Sequence, residues 1–167
     1  MVEVQRIAQA YKESIERSLG LVARVERERS VVFRHPELGV FVAVIHPDDP
    51  EHFHLLFPAF LDCRKAGPHE RLLVLCNDLN ATVKGVKFAM NNSPEGEVSA
   101  SAESAVPLVN GIPHPDLLDG VFRRALAQIG AGLRLAALRL KGTPTGQPQH
   151  ARAPYPAPGD ARHPAMR

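Results

Sequence analysis

The sequence predicts an α+β fold in which one antiparallel sheet packs with helices. Three stretches carry apolar residues at helical spacing, and five shorter stretches alternate or cluster apolar residues as strands do. Along the chain they run helix, three strands, helix, two strands, helix. One sheet with helices against it lets every amphipathic element bury its apolar side. The predicted sheet is therefore five-stranded.

The first helix is predicted over residues 3–19, where apolar side chains recur every three or four positions, and Gly20 supplies a left-handed stop. A second helix opens at Gly67-Pro68, because proline in a first turn loses no hydrogen bond, and Gly85 ends it. Its apolar stripe comprises Leu72, Leu75, Cys76, Leu79 and Val83.

A third and longer helix begins at His114-Pro-Asp116, with an acidic residue near its positive end. Gly130 and Gly132 interrupt its apolar stripe at a cost of about 1 kcal/mol each relative to alanine. The glycines indicate either a break near Ile129 or a close approach by another backbone, and we favour the close approach.

The strands are predicted from short apolar stretches. Val40–Ile45 is apolar at every position, which is typical of a central strand covered on both faces. Pro47–Pro50 has the composition of a compact turn. The charge run Arg24–Arg29 is interpreted as a solvated edge. The expected strands are Ser30–Phe33, Val40–Ile45, His52–Phe60 and a hairpin of residues 86–90 and 98–102.

The charge distribution argues against nucleic-acid binding. Lys141–Arg167 contains four basic residues and one acid, which leaves residues 1–140 with a net charge of −1 out of a total of +2. Such a body lacks the basic surface that neutralises phosphates. No apolar run approaches the roughly 20 residues of a membrane span, so we expect no membrane contact either.

The domain is predicted to cover residues 1–140 and to end in a disordered tail, residues 141–167. Six of the fifteen prolines fall in that tail, and Tyr155 and Met166 are its only large apolar residues. Such a segment cannot offset its own ordering entropy. The N-terminus does not resemble a secretory signal, so we expect a cytoplasmic protein in which Cys63 and Cys76 are reduced.

Several segments together carry the structural signatures of a known family. Leu72–Asn80 carries a Leu-Asn signature on a helix that leads into Val86–Met90, and a later strand ends at Ala105–Leu108. Val40–Pro50 looks like the second strand and turn of that same family. Together these segments resemble the YbjN family. The resemblance covers roughly residues 2–140 and rests on structural signatures rather than catalytic ones.

The resemblance implies a binding module rather than an enzyme. The YbjN fold is similar to that of type III secretion chaperones, which are small, usually dimeric, cytoplasmic, and bind extended segments of client proteins. YbjN proteins are commonly labelled regulators of sensory transduction. The chaperones are typically acidic, whereas the body of this chain is nearly neutral.

Asn77 and Asn80 lie on one face of the second predicted helix. Each amide offers a donor and an acceptor, so the pair could hold the backbone of a ligand. The alternative is that these amides bond the strand that follows, as buried amides often do. We favour the alternative.

His52 and His54 project from one face of a predicted strand, shortly after His46, Asp48 and Asp49. Imidazole and carboxylate groups suit zinc or nickel, so the region is a candidate metal or small-ligand site. The spacing fixes no third ligand, and no cofactor is expected.

Cys63 lies beside Arg64 and Lys65, which could lower the pKa of its thiol. A thiol-dependent enzyme would also need a positioned base and an oxyanion site, and the sequence indicates neither. We regard this possibility as the weakest.

Leu133–Leu140 is apolar on nearly every side of its helix, which predicts a homodimer or client contact there and on one sheet face. The leading hypothesis is a non-enzymatic, dimeric module that binds a client segment. Its candidate contacts, each of which would also suit the core, are Phe41, Phe53, Phe57, Leu135 and Leu138.

Overall fold

The computed structural model describes residues 2–27, 29–62, 69–92, 98–108 and 114–142. The helices are α1 (Val2–Leu19), α2 (His69–Thr82) and α3 (Pro115–Gly142). The strands are β1 (Ala23–Glu26), β2 (Ser30–His35), β3 (Gly39–His46), β4 (Asp49–Asp62), β5 (Lys87–Asn92) and β6 (Val98–Pro107). The α+β class is confirmed.

Some predicted features lie outside the described residues. They are the Cys63 thiol, the Gly67-Pro68 helix start and residues 143–167 of the predicted tail. The last helix continues to Gly142, past the predicted end of the domain at residue 140. None of the described helices combines the length and the apolar composition that crossing a membrane requires.

The strands form one antiparallel sheet in the order β1-β2-β3-β4-β6-β5. It has six strands rather than the predicted five, because β1 occupies part of the stretch interpreted as a solvated edge. Arg24 and Glu26 alternate there with Ala23 and Val25, and the latter two pair with buried residues of β2. The charge run therefore contains the alternation of a half-buried strand.

β4 begins at Asp49 rather than at His52, so the predicted turn shrinks to Pro47 and Asp48. Pro50 is tolerated inside this strand because pairing of β4 with β6 begins only at His52.

The described helices pack on one face of the sheet. α1 lies against β1, β2 and β3, α3 against β4 and β6, and α2 against β5. Along β3, Phe41, Ala43 and Ile45 are buried, whereas Val42 and Val44 stay partly exposed. The prediction that β3 is covered on both faces is therefore wrong for the described chain. The side without helices is termed the open face.

Aromatic rings join the helices to the sheet at the centre of the core. The ring centroid of Phe122 on α3 lies 5.0 Å from that of Phe53 on β4 and 5.5 Å from that of Tyr11 on α1. Each pair meets edge to face, the arrangement that the ring quadrupoles favour. Burial raises the pKa of the Tyr11 hydroxyl.

A carboxylate on α3 fixes α1 against it. Ser14 Oγ donates a 2.6 Å hydrogen bond to Asp119, and Arg17 donates two more, of 2.9 and 2.6 Å. The hydrogen bonds from Arg17, and then that from Ser14, lower the pKa of the Asp119 carboxyl.

Replacing Asp119→Ala should lower the free energy of unfolding by about 1–3 kcal/mol, because the buried Ser14 hydroxyl loses its acceptor. The folded pKa of Asp119 lies below its ordinary value, so the wild-type advantage should be present at neutral pH and vanish as pH falls through that lowered pKa. Urea denaturation at pH 7 and in acid measures both effects. Asp116→Ala, on the same helix but solvent-exposed, is the control and should cost less. Equal losses in the two variants would contradict the prediction.

α3 runs unbroken through Gly130 and Gly132, so the alternative of a break near Ile129 is wrong, and of the two glycines Gly132 has the close approach. The approaching group is a ring rather than a backbone. A Cβ on Gly132 would stand 2.3 Å from Cζ of Phe88, which projects from β5. Phe88 in turn meets Phe60 edge to face, with centroids 5.6 Å apart.

Gly132→Ala should therefore lower the melting temperature, although alanine favours helices by about 1 kcal/mol over glycine. The added methyl would displace the buried Phe88 ring. Gly120→Ala is the matched control, because a Cβ there meets nothing within 4 Å, and it should raise the melting temperature. Thermal unfolding followed by circular dichroism measures both. A rise for Gly132→Ala would show that the packing is looser than described.

Candidate functional site

The strand register arranges the side chains of the open face in rows. The central row runs across all six strands as Arg24, Val32, Val42, Leu56, Glu103 and Lys87. Its middle is apolar and its ends are charged. Val32, Val42 and Leu56, together with Val40 and Val44 of β3, are termed the apolar strip.

The apolar strip has no cover among the described residues. All five of its side chains keep part of their surface accessible, and Val40 is 41% exposed. Covering such surface contributes roughly 25 cal/mol per Å² of apolar area removed from water. Arg34 lies directly opposite Val40 in the register and is itself exposed. The strip thus offers apolar contact with a cation at its border.

A histidine–glutamate network lies beside the apolar strip. Nε2 of His46 is 3.2 Å from Nδ1 of His54, and Nε2 of His54 is 3.1 Å from Oε2 of Glu103. A carboxylate only accepts, so neutral His54 carries its proton on Nε2 and its Nδ1 accepts from His46. Lys87 Nζ lies 3.5 Å from the other Glu103 oxygen.

Burial lowers the pKa of His54, because the charged ring loses hydration. The carboxylate of Glu103 opposes this shift, while the neighbouring rings of His46 and His52 add to it. The ring of His46 stacks on that of His54, with centroids 5.4 Å apart. Protonating His54 at Nδ1 would remove the acceptor that faces Nε2 of His46.

The lowered pKa of His54 predicts a loss of stability in mild acid. In the unfolded chain His54 binds a proton as pH falls below the ordinary histidine pKa of 6.5, whereas in the folded chain it does so only at lower pH. The folded state is therefore destabilised relative to the unfolded state as pH falls from 6.5 through the folded pKa. His54→Gln keeps a donor and an acceptor without a charge, so its unfolding free energy should fall less between pH 7.5 and 5. Urea denaturation measures the difference. His114→Gln, at an exposed histidine, should retain the wild-type slope, and a wild-type slope for His54→Gln would contradict the prediction.

The structure does not assemble a metal site around His52 and His54. Among the described residues, no three histidine, cysteine, aspartate or glutamate side chains form a group that could hold a metal ion. Both ring nitrogens of His54 are already in contact with protein groups, and the ring centroid of His52 lies 6.1 Å from that of His46.

The predicted contact residues divide between core and surface. Phe41, Phe53 and Phe57 belong to the core, where their burial leaves no surface for a partner. Leu135 is partly buried against the same core, whereas Leu138 on the outer side of α3 is 67% exposed. The face of the strand that is buried depends on which side the helices pack, which the sequence left open.

Asn80 bonds the strand that follows its helix, as the favoured interpretation predicts. Its Nδ2 donates to the Phe88 carbonyl at 3.0 Å, and its Oδ1 accepts from the Phe88 N–H at 2.7 Å. Both backbone groups lie on the outer edge of β5, so the amide pairs with them as a neighbouring strand would. Asn77 is solvent-exposed, and the described hydrogen bonds to that strand come from Asn80, so the favoured interpretation is confirmed for Asn80 and not for Asn77.

Asn80→Ala should lower the free energy of unfolding by about 1–3 kcal/mol, because two backbone groups of Phe88 lose their partner. Asn77→Ala, on the same helix, is the matched control and should change it by less than about 0.5 kcal/mol, as is usual for surface positions. Chemical denaturation measures the free energy of unfolding of both variants. If Asn80→Ala is as stable as the wild type, water replaces the amide at no cost.

The residues that the sequence did not indicate are those contributed by distant strands. Glu103 reaches His54 across 49 positions of sequence, and Val32 and Val42 meet only through the strand register. The alternation of residues 98–102 was the available signal, because it continues to Glu103, but it does not reveal that β6 lies beside β4.

The arrangement of the sheet and helices is shared with solved structures. YbjN from E. coli, provisionally described as a transcription regulator, aligns with a TM-score of 0.61 over 78% of this chain and 91% of its own, at 10% sequence identity. The chain has a YbjN-like fold. An uncharacterized protein from Methanothermobacter thermautotrophicus aligns with a TM-score of 0.52 over 78% of this chain and 99% of its own, at 14% identity. No family model and no curated protein sequence matches the chain.

The resemblance to YbjN is thus confirmed as a fold. Of the two neighbours, one is provisionally described as a transcription regulator and the other is uncharacterized. At these identities the likeness concerns the fold alone.

Proposed function

We propose that this chain is a non-enzymatic cytoplasmic module, chaperone-like or regulatory, that binds a segment of a client protein on its open face as a homodimer. The observation that carries this proposal is the apolar strip, which the described helices leave uncovered. A client that covers the strip removes apolar surface from water, and that removal supplies affinity.

The chemistry of the strip defines the kind of client segment that fits. A segment lying on Val32, Val42 and Leu56 needs apolar side chains on one side, either alternating along an extended chain or at helical spacing. Arg34 at the border favours a client with an acidic residue next to those apolar side chains. Leu138 remains a further candidate contact on the helical side.

The polar groups beside the strip favour binding over catalysis. The nitrogens of His54 and the carboxylate of Glu103 are engaged with one another and with neighbouring side chains. A nucleophile or a general base needs a position within reach of a substrate atom. Cys76, the described thiol, is buried in the core. We therefore assign these groups a role in supporting the open face.

A metal- or small-ligand-responsive regulator that uses His52 and His54 is the alternative function. The two can be separated by the melting temperature of the full chain in the presence of Zn²⁺, because binding to the native state raises it by mass action. The proposed module should show no stoichiometric rise. A rise that His54→Gln abolishes would favour the alternative.

The client hypothesis predicts that Val42→Glu abolishes co-purification of proteins that accompany the wild type, because a charge in the strip must be desolvated on docking. The tagged full chain would be purified gently from its native cell, and the accompanying proteins quantified by mass spectrometry. Val74→Glu is the matched control, since Val74 is exposed on the outer side of α2.

Melting temperatures of both variants show whether each is folded. If Val42→Glu is unstable, Arg34→Glu at the border replaces it, and it should weaken the association without unfolding the chain. The hypothesis fails if a folded open-face variant retains every partner, or if the wild type purifies alone.

A further inference from the structure

The two edges of the sheet differ in how they are closed. β1 and β5 are the edge strands, and at β5 the Asn80 side chain engages both outward backbone groups of Phe88. An edge without such cover presents N–H and C=O groups on which another strand can pair. On β1, the Glu16 side chain reaches the N–H of Ala23, and the backbone next exposed along that edge is that of Val25, so Val25 is the place to look for an added strand.

The backbone of Val25 points outward from β1. The N–H of Ala23 reaches Oε1 of Glu16 on α1 at 3.5 Å, so Ala23 turns its backbone groups away from β2. This orientation alternates along an antiparallel strand, so Val25 turns its N–H and C=O the same way. Among the described residues, no group bonds to them.

This edge carries two exposed apolar side chains and one pair of opposite charges. Val22, just before the strand, is 88% exposed, and Val25 within it is 36% exposed. Arg24 and Glu26 flank Val25 and point to the open face, where they pair with each other. The edge thus combines apolar surface, free backbone groups and one residue of each charge.

We propose that β1 pairs with β1 of a second copy of this chain, antiparallel across a two-fold axis at Val25. The two Val25 residues then exchange both hydrogen bonds of a hydrogen-bonded pair. Arg24 of each copy faces Glu26 of the other, because reversing the strand brings opposite charges opposite each other. The strand is self-complementary, as an interface around a two-fold axis requires.

This interface, which rests on the homodimer of the proposed function, makes one continuous sheet from two copies. Helices of both copies lie on one side of that sheet, and both open faces lie on the other. The two apolar strips are then neighbours on one surface, so a single client segment can lie across both copies.

The charges of Arg24 and Glu26 provide a test that distinguishes this interface from a dimer formed elsewhere on the chain. Arg24→Glu gives a copy with two acids at the edge, and Glu26→Arg gives a copy with two bases. Each variant alone should dissociate at least about tenfold more readily than the wild type, since two attractive pairs become repulsive. An equimolar mixture of the two should associate again, because the acids of one copy face the bases of the other. Light scattering and sedimentation of the full chain measure these masses.

Two further variants serve as controls. Arg6→Glu makes the same charge change at an exposed position of α1 and should leave the dimer intact. Val25→Pro removes an outward N–H that has no partner within one copy of the chain. It should therefore abolish the dimer and leave each copy folded. Circular dichroism confirms that each variant is folded.

The possible results separate the two proposals. A wild-type chain that stays monomeric at high concentration overturns both the homodimer and this interface. A dimer that Arg24→Glu and Glu26→Arg leave unchanged overturns the β1 interface and leaves the homodimer standing. Single variants that dissociate but fail to associate when mixed overturn the register at Val25.

Discussion

One-sided burial of a six-stranded antiparallel sheet is the constraint on which the structure depends. The described helices lie on one face, and the aromatic rings of Tyr11, Phe53 and Phe122 occupy the centre of that layer. The ion pair and hydrogen bonds at Asp119 keep α1 aligned with α3, so the two helices cover the sheet together. Because the helices are on one side, every alternate residue of the central strands faces the other, and the apolar strip follows from that placement.

The far edge of the sheet depends on Phe88. Its backbone is held by Asn80, and its ring fills the space that Gly132 leaves on α3. Phe88 therefore connects α2, β5 and α3, and its outward backbone groups are already paired with Asn80. At the opposite edge, the Glu16 side chain reaches the outward N–H of Ala23 on β1, and no described group bonds the outward backbone of Val25. The two edges therefore differ, and the surfaces proposed for partners are β1 and the open face.

The sequence predicts the helices well, because their periodicity is long and the stops at Gly20 and Gly85 are strong signals. It also predicts the amide bonds of Asn80, because the strand that they join follows directly after the helix. It indicates a close approach at Gly132 because a glycine inside a helix costs stability relative to alanine, but it does not identify the Phe88 ring as the approaching group. It misses β1, where the alternation is four residues long and half of it is charged.

The candidate site is harder to predict because it is made by register between strands distant in sequence. A strand such as Val40–Ile45, apolar on both faces, does not reveal which face the helices cover. Phe41 was therefore as reasonable a contact as Val42, and only the packing decides between them. The sequence does predict that both faces of this strand are apolar. The open-face hypothesis explains the apolar residues on the side away from the helices as a surface for a partner.

The most direct measurement of the central claim is site-specific photo-crosslinking from the open face in the native cell. A photoreactive residue would be placed at Val40 on the border of the apolar strip, or at Val74 on the outer side of α2, which is also exposed. The open-face hypothesis predicts a discrete adduct with another protein from position 40 and none from position 74. No adduct from position 40, or equal adducts from both positions, would contradict it.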